Sequence, residues 1–205
     1  MRPRQSARFF CIAVTIAAVA AGCSDNSVIT EPTTNEPLAA SPLASASTGI
    51  VVQVADIEQL YAAVNLAANA GATVLLSPGT YVLSAKNPSN VDRPNGGRLD
   101  LQENMALAGV DGDRAAVTID ASALPQASFA VSFGRTGVIR AGRGSNSVEW
   151  LTVAGNPLAA AAIETDLVST TEASIRVAHV VAGDNARGVD IRNVTASMAL
   201  SLIHI

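Results

Sequence analysis

Residues 147–156 read SVEWLTVAGN, and SIRVAHVVAGDN follows at 174–185. Ser147 aligns with Ser174, Val148 with Ile175 and Glu149 with Arg176. Val-Ala-Gly-Asn at 153–156 then matches Val-Ala-Gly-Asp at 181–184 after a slip of one residue, and VDIRNVTA at 189–196 is a shorter third echo. Self-similarity at such a period, built from short β runs and polar turns, is the mark of a solenoid. One coil cannot bury its inner face alone, so successive coils stack and their apolar residues form columns.

The rest of the chain repeats this alternation. Short β runs stand at 99–101 (LDL), 105–110 (MALAGV), 116–121 (AVTIDA), 137–141 (GVIRA), 148–153 (VEWLTV), 161–165 (AAIET), 175–181 (IRVAHVV) and 189–194 (VDIRNV). Gly, Asn, Asp or Ser punctuates most of them. Asn146, Asn156, Asn185 and Asn193 fall near turns, where stacked amides could pair along the solenoid axis. One helix is expected, over 56–70. Asp56 is a good N-cap with Gln59 three residues on, Ile57, Leu60, Tyr61, Val64 and Ala68 share a face, and Gly71 suits the position after the end. Thr73–Leu83 then reads as strand, Ser-Pro-Gly turn, strand. A β-sandwich and an α/β domain are the competing folds, and the dearth of further helices counts against the second.

Before this region the composition changes twice. MRPRQSAR is basic, FFCIAVTIAAVAAG is a short apolar run, and small residues close it. About 20 residues are needed to cross a bilayer, more than this run supplies, so 1–22 reads as a secretory signal. Residues 23–49, rich in Ser, Thr, Pro and Ala, read as a flexible tether, and 50–205 as the folded domain. Without Arg2, Arg4 and Arg8 the balance is 10 Lys+Arg against 17 Asp+Glu. That balance opposes nucleic-acid binding, which relies on neutralised phosphates. Of the two cysteines, Cys11 leaves with the signal, so the mature chain has no disulfide.

The junction Ala20-Ala21-Gly22-Cys23 resembles the lipobox of bacterial lipoproteins, with Ala20 where leucine is more usual. The resemblance implies that Cys23 is lipidated and becomes the first mature residue, and two or three acyl chains make anchoring stable. Membrane, through this anchor, is thus an expected partner, and Ser24 fits sorting to the outer membrane or cell surface. A second resemblance covers roughly 50–200. The leading helix, then GATVLLSPGTYVL, a leucine strand and MALAGVDGDRAAVTIDAS are similar to the start of pectin lyase-like proteins. It implies an all-β fold, a right-handed parallel β-helix with an N-terminal capping helix. Against the length of that family's enzymes the chain is expected to be an incomplete solenoid; MALSLIHI, ending at 205, would otherwise have to fold over the open end as its cap.

Family members that cleave acidic polysaccharides hold Ca²⁺ with carboxylates and abstract a proton with Arg or Lys. Here that implies Glu149, Glu164, Asp166, Asp184 and Asp190 as acids and Arg176 and Arg192 as catalytic bases. Outward strand positions are polar by default, so a merely solvated face fits the same residues. The acids are spread singly, and Ca²⁺ needs six or more oxygens, so no metal and no cofactor is expected. Arg135, Arg140 and Arg143 form the densest basic group, suited to gripping carboxylates or sulfates of a polysaccharide or to lining a charged loop. Trp150 suits either a sugar platform or the core; His179 takes the place of Thr152 in the alignment, and His204 sits in the final apolar run. Residues 85–98 read as a protruding loop, carrying specificity or idle. Two function classes result: an envelope module that binds glycans or partners, or a lyase or hydrolase of acidic polysaccharides.

Overall fold

In the computed structural model the first strand, β1 (Val51–Val54), precedes the helix, at a place where the sequence pattern shows only the helix. The structure describes residues 49–129, 137–159, 161–165, 173–185, 187–191, 195–199 and 202–203. The chain divides into two units, Met1–Ala40 and Ser41–Ile205, and all of these residues belong to the second. The helix α1 runs Ile57–Asn65, shorter than expected. Its N-cap is Asp56, whose Oδ1 accepts from Gln59 N at 2.8 Å, while Gln59 Oε1 reaches back to Ala55 N at 2.9 Å. Its end is set by two amides: Asn65 Nδ2 donates to Tyr61 O and Asn69 Nδ2 to Ala63 O. The Asn69 amide takes up Ala63 O, the carbonyl that Ala67 N would bond in a further turn. A 3-10 turn follows at Ala67–Asn69, which leaves Ala68 exposed rather than on the buried face of Leu60, Tyr61, Ala63 and Val64.

Coils follow one another from there. The first holds β2 (Thr73–Leu76), β3 (Gly79–Val82) and β4 (Leu99–Asp100); the second β5 (Ala106–Ala108), β6 (Val117–Asp120) and β7 (Gly137–Ala141). The third holds β8 (Ser145–Glu149), β9 (Thr152–Ala154) and β10 (Ala161–Thr165), and the fourth β11 (Ser174–Ala178), β12 (Val181–Gly183) and β13 (Val189–Asp190). β14 (Thr195–Ala199) and β15 (Leu202–Ile203) come next. Corresponding strands pair in three sheets, ordered β1-β2-β5-β8-β11-β14, β15-β12-β9-β6-β3 and β13-β10-β7-β4. The strand pairings within them are parallel, for example β8 with β11 and β6 with β9. The fold is an all-β parallel β-helix with one capping helix, as expected.

Three inner columns make the core. Val74, Leu107, Val148 and Val177 stack in the first sheet; Tyr81, Ile119, Val153 and Ala182 in the second; Leu99, Ile139, Ile163 and Val189 in the third. All are buried except Val189, which is partly so. Each fully buried Val, Leu or Ile contributes roughly 1.5–3 kcal/mol by leaving water.

The register corrects the sequence alignment. Val148 pairs with Val177, and Ile175 with Asn146, so the repeat runs from Ser145 to Ser174 with no slip. The true third echo is β14, whose Thr195 lies on Ser174, and not 189–196, which begins in a different sheet. In this register His179 corresponds to Trp150, while Thr152 pairs with Val181. The asparagines do not pair amide to amide. Asn156 Nδ2 donates to Ala121 O and Leu124 O, Asn185 Oδ1 accepts from Asn156 N at 3.2 Å, and Asn146 Nδ2 donates to Gln102 O and Met105 O. Asn193 lies outside the described residues.

The 85–98 segment is tied down at its base. Tyr61 Oη donates to Gly97 O at 2.5 Å and accepts from Ser84 N at 3.1 Å. Arg93 lies 3.9 Å over the Tyr61 ring and pairs with Glu58. Gly97 has φ +84, and a Cβ there would stand 2.2 Å from Ser84 O, so this close approach requires glycine. The tip stays in solvent, with Lys86 and Asp92 paired at 3.4 Å and 51% and 83% exposed.

Candidate functional site

Two constellations bring charged and aromatic side chains together. The first lies on the third sheet, where alternation turns Leu99, Ile139 and Ile163 inward and their neighbours outward. Asp100, Arg140, Glu164 and Asp190 are therefore in register on four successive rungs. Arg140 pairs with Asp100, Arg187 Nη1 lies 2.7 Å from Asp190 Oδ2, and Arg98 Nη1 lies 3.9 Å from Glu164 Oε1. Arg98 and Glu164 are buried, with side chains 4% and 7% exposed. The row therefore compensates its own charges, three cations against three carboxylates.

The second lies on the first sheet and its corner. Arg176 Nε donates to Glu149 Oε1 at 3.1 Å. Next to Glu149 in the chain, Trp150 stacks on His179 with ring centroids 3.7 Å apart and planes 8° from parallel. Both residues are partly exposed. Both residues take left-handed backbone, φ 55 for Trp150 and φ 57 for His179. Such a conformation is rare for a bulky side chain and marks a turn or strain.

Of the residues picked from the sequence, Arg140, Glu164 and Asp190 are brought into one row, and Arg176 and Glu149 into one pair. Arg143 is exposed at the corner between β7 and β8, and Asp184 is exposed after β12. Cys23, Arg135, Asp166, Arg192 and His204 lie outside the described residues. The sequence reading missed Arg98 and Asp100 in the row, and missed that Trp150 meets His179. A comparison laid out at the Ser145-to-Ser174 spacing would have aligned the two aromatic rings. Arg98 gives no local signal, because its partner lies two rungs away. Among the described residues no group of three His, Cys, Asp or Glu is placed to hold a metal ion.

Among the described residues of this parallel β-helix protein, the third-sheet row pairs its charges and Trp150 and His179 form a partly exposed aromatic corner. A solved structure of an alginate lyase of the PL6 family, AlyGC in a mutant form, matches with a TM-score of 0.51 at 16% identity over 77% of this chain. The chain spans 20% of that lyase's length. The likeness is one of fold. No family model matches the chain, and no curated protein sequence matches it.

Proposed function

We propose that this chain is a lipid-anchored module of the bacterial cell envelope, held by Cys23 at the outer membrane or cell surface, whose β-helix binds glycans. The observation that carries the binding reading is the Trp150–His179 stack: two flat rings on partly exposed residues, held in a conformation that costs backbone energy. Strained left-handed residues of this kind cluster at binding and active sites. The charge pattern supports binding over cleavage. Arg176 and Arg140, each suited to gripping a carboxylate, are both engaged by carboxylates of the chain itself. An arginine engaged this way is committed to a partner within the chain rather than presented to a substrate.

The second reading is a polysaccharide lyase, with Arg176 or Arg192 as base, and it is favoured by the likeness in fold to an alginate lyase. One experiment separates the two. The purified chain is incubated with pectate, alginate, glycosaminoglycans and neutral glucans, with and without Ca²⁺, and both retention and ultraviolet absorbance are followed. The module reading expects retention by at least one glycan without growth of absorbance. Unsaturated uronates accumulating in proportion to enzyme establish the lyase. No retention by any glycan removes the binding reading.

A further inference from the structure

We infer that the Trp150–His179 corner is a stacking subsite for a neutral pyranose ring, an inference that rests on the glycan-binding reading and names its ligand class. A tryptophan at positive φ is a strained backbone conformation. Elsewhere the chain fills such positions with Asn90, Asn95 and Asn104, which tolerate them. Neither Trp150 nor His179 is fully buried.

The column through this corner is Gly109, Trp150 and His179, joined by Gly109 N to Glu149 O, Trp150 N to Ala178 O and His179 N to Ala199 O. The imidazole takes one face of the indole. At the corresponding position of the preceding coil stands Gly109, which has no side chain to lay on the indole. A Cβ at Gly109 would stand 2.0 Å from Trp150 O, so this position cannot carry a filler. The second coil also makes a longer excursion here, residues 109–116 between β5 and β6, where the next two coils use 150–151 and 179–180. That excursion is fastened to the corner by Thr152 Oγ1, which donates to Arg114 O at 3.0 Å. An aromatic face beside a polar wall matches a pyranose, which offers a C–H face for packing and a rim of hydroxyls for hydrogen bonds.

Charge selects the neutral class. The excursion exposes Asp111 and Asp113, and the nearby Arg176 is occupied by Glu149. Without the signal, 10 Lys+Arg face 17 Asp+Glu, so a polyanion meets like charge on approach.

Trp150 is the single tryptophan, so its emission reports on this corner alone. The full chain is titrated with cellohexaose, laminarihexaose and mannohexaose, and separately with oligoalginate and oligopectate; calorimetry runs in parallel. At least one neutral hexamer is expected to give a saturable change in emission with a matching calorimetric isotherm, and the two anionic oligomers none. His179→Ala, which leaves the tryptophan in place, is expected to weaken that binding about tenfold. Saturation by the anionic oligomers alone overturns the neutral class while glycan binding stands. Calorimetric binding with unchanged emission places the site elsewhere and overturns the subsite. Binding by no oligosaccharide removes both readings.

Discussion

Arg98 Nη1 lies 3.9 Å from Glu164 Oε1, although Arg98 directly precedes β4 and Glu164 lies on β10, with β7 between the two strands in the sheet. Both side chains are buried, and Glu164 shares its row with the Asp100–Arg140 pair. Removing one partner of a buried pair leaves an uncompensated charge, at a cost of about 3–5 kcal/mol. Arg98→Met and Glu164→Gln are each expected to lower the stability measured by urea unfolding by that order. The double variant should lose clearly less than the sum, since neither charge is then stranded. Strictly additive losses would show that the two groups do not interact.

Both tyrosines of the chain titrate abnormally. Burial pushes the phenol of Tyr61 up from 10.0, opposed by its backbone hydrogen bond at Ser84 and by Arg93. Burial also raises Tyr81, opposed by its hydrogen bond at Ser77. A phenol with a higher pKa folded than unfolded stays protonated in both states below pH 10. Its stabilising contribution is full there and is lost as pH rises from 10 through the folded value. Absorbance near 295 nm is therefore expected to show less tyrosinate at pH 10 in the folded protein than in urea, where each phenol is about half ionised. Tyr61→Phe and Tyr81→Phe should each flatten the fall of stability above pH 10. A tyrosine ionising at its ordinary value in the folded chain contradicts its burial.

The stack of coils was legible in the sequence because strand, corner and strand recur with their punctuation. The register was not, and Asn146 explains why. It occupies an inward position under Ile175, where an apolar alignment looks for an apolar residue and so slides Val148 there instead. The amide is tolerated because Nδ2 donates to two carbonyls, of Gln102 and Met105. β1 was hidden for a different reason. Val51–Val54 is too short to announce itself beside a strong helix signal, and its place is decided by pairing with β2. The Arg98–Glu164 pair could not be read at all, since neither neighbours the other on one strand or on adjacent rungs.

The anchor can be tested apart from the fold. Cys23 follows Ala-Ala-Gly at the end of the short apolar run. In cells fed labelled palmitate, the native chain is expected to carry label and sediment with membranes. Cys23→Ala should lose both. Retention of label by that variant would falsify the lipid anchor.

A covalent test reads the register directly. Ser145 and Ser174 are paired on adjacent rungs, and their Oγ atoms lie 3.0 Å apart. Paired Cα atoms on parallel neighbours sit about 4.8 Å apart, inside the 4.4–6.8 Å range that a disulfide spans. Ser147 is displaced from Ser174 by two residues along the strand, which adds about 6.6 Å of rise and puts the pair beyond reach. In a Cys23→Ser background, Ser145→Cys with Ser174→Cys is expected to close a disulfide under mild oxidation, seen as lost thiol titre at unchanged mass per chain. Ser147→Cys with Ser174→Cys should keep both thiols. The closed loop takes in one whole coil, and restricting the unfolded chain by it should raise the thermal midpoint, with an upper limit of about 3–4 kcal/mol. Closure by the 147–174 pair and not the other would restore the alignment of Ser147 with Ser174 and displace Trp150 from His179.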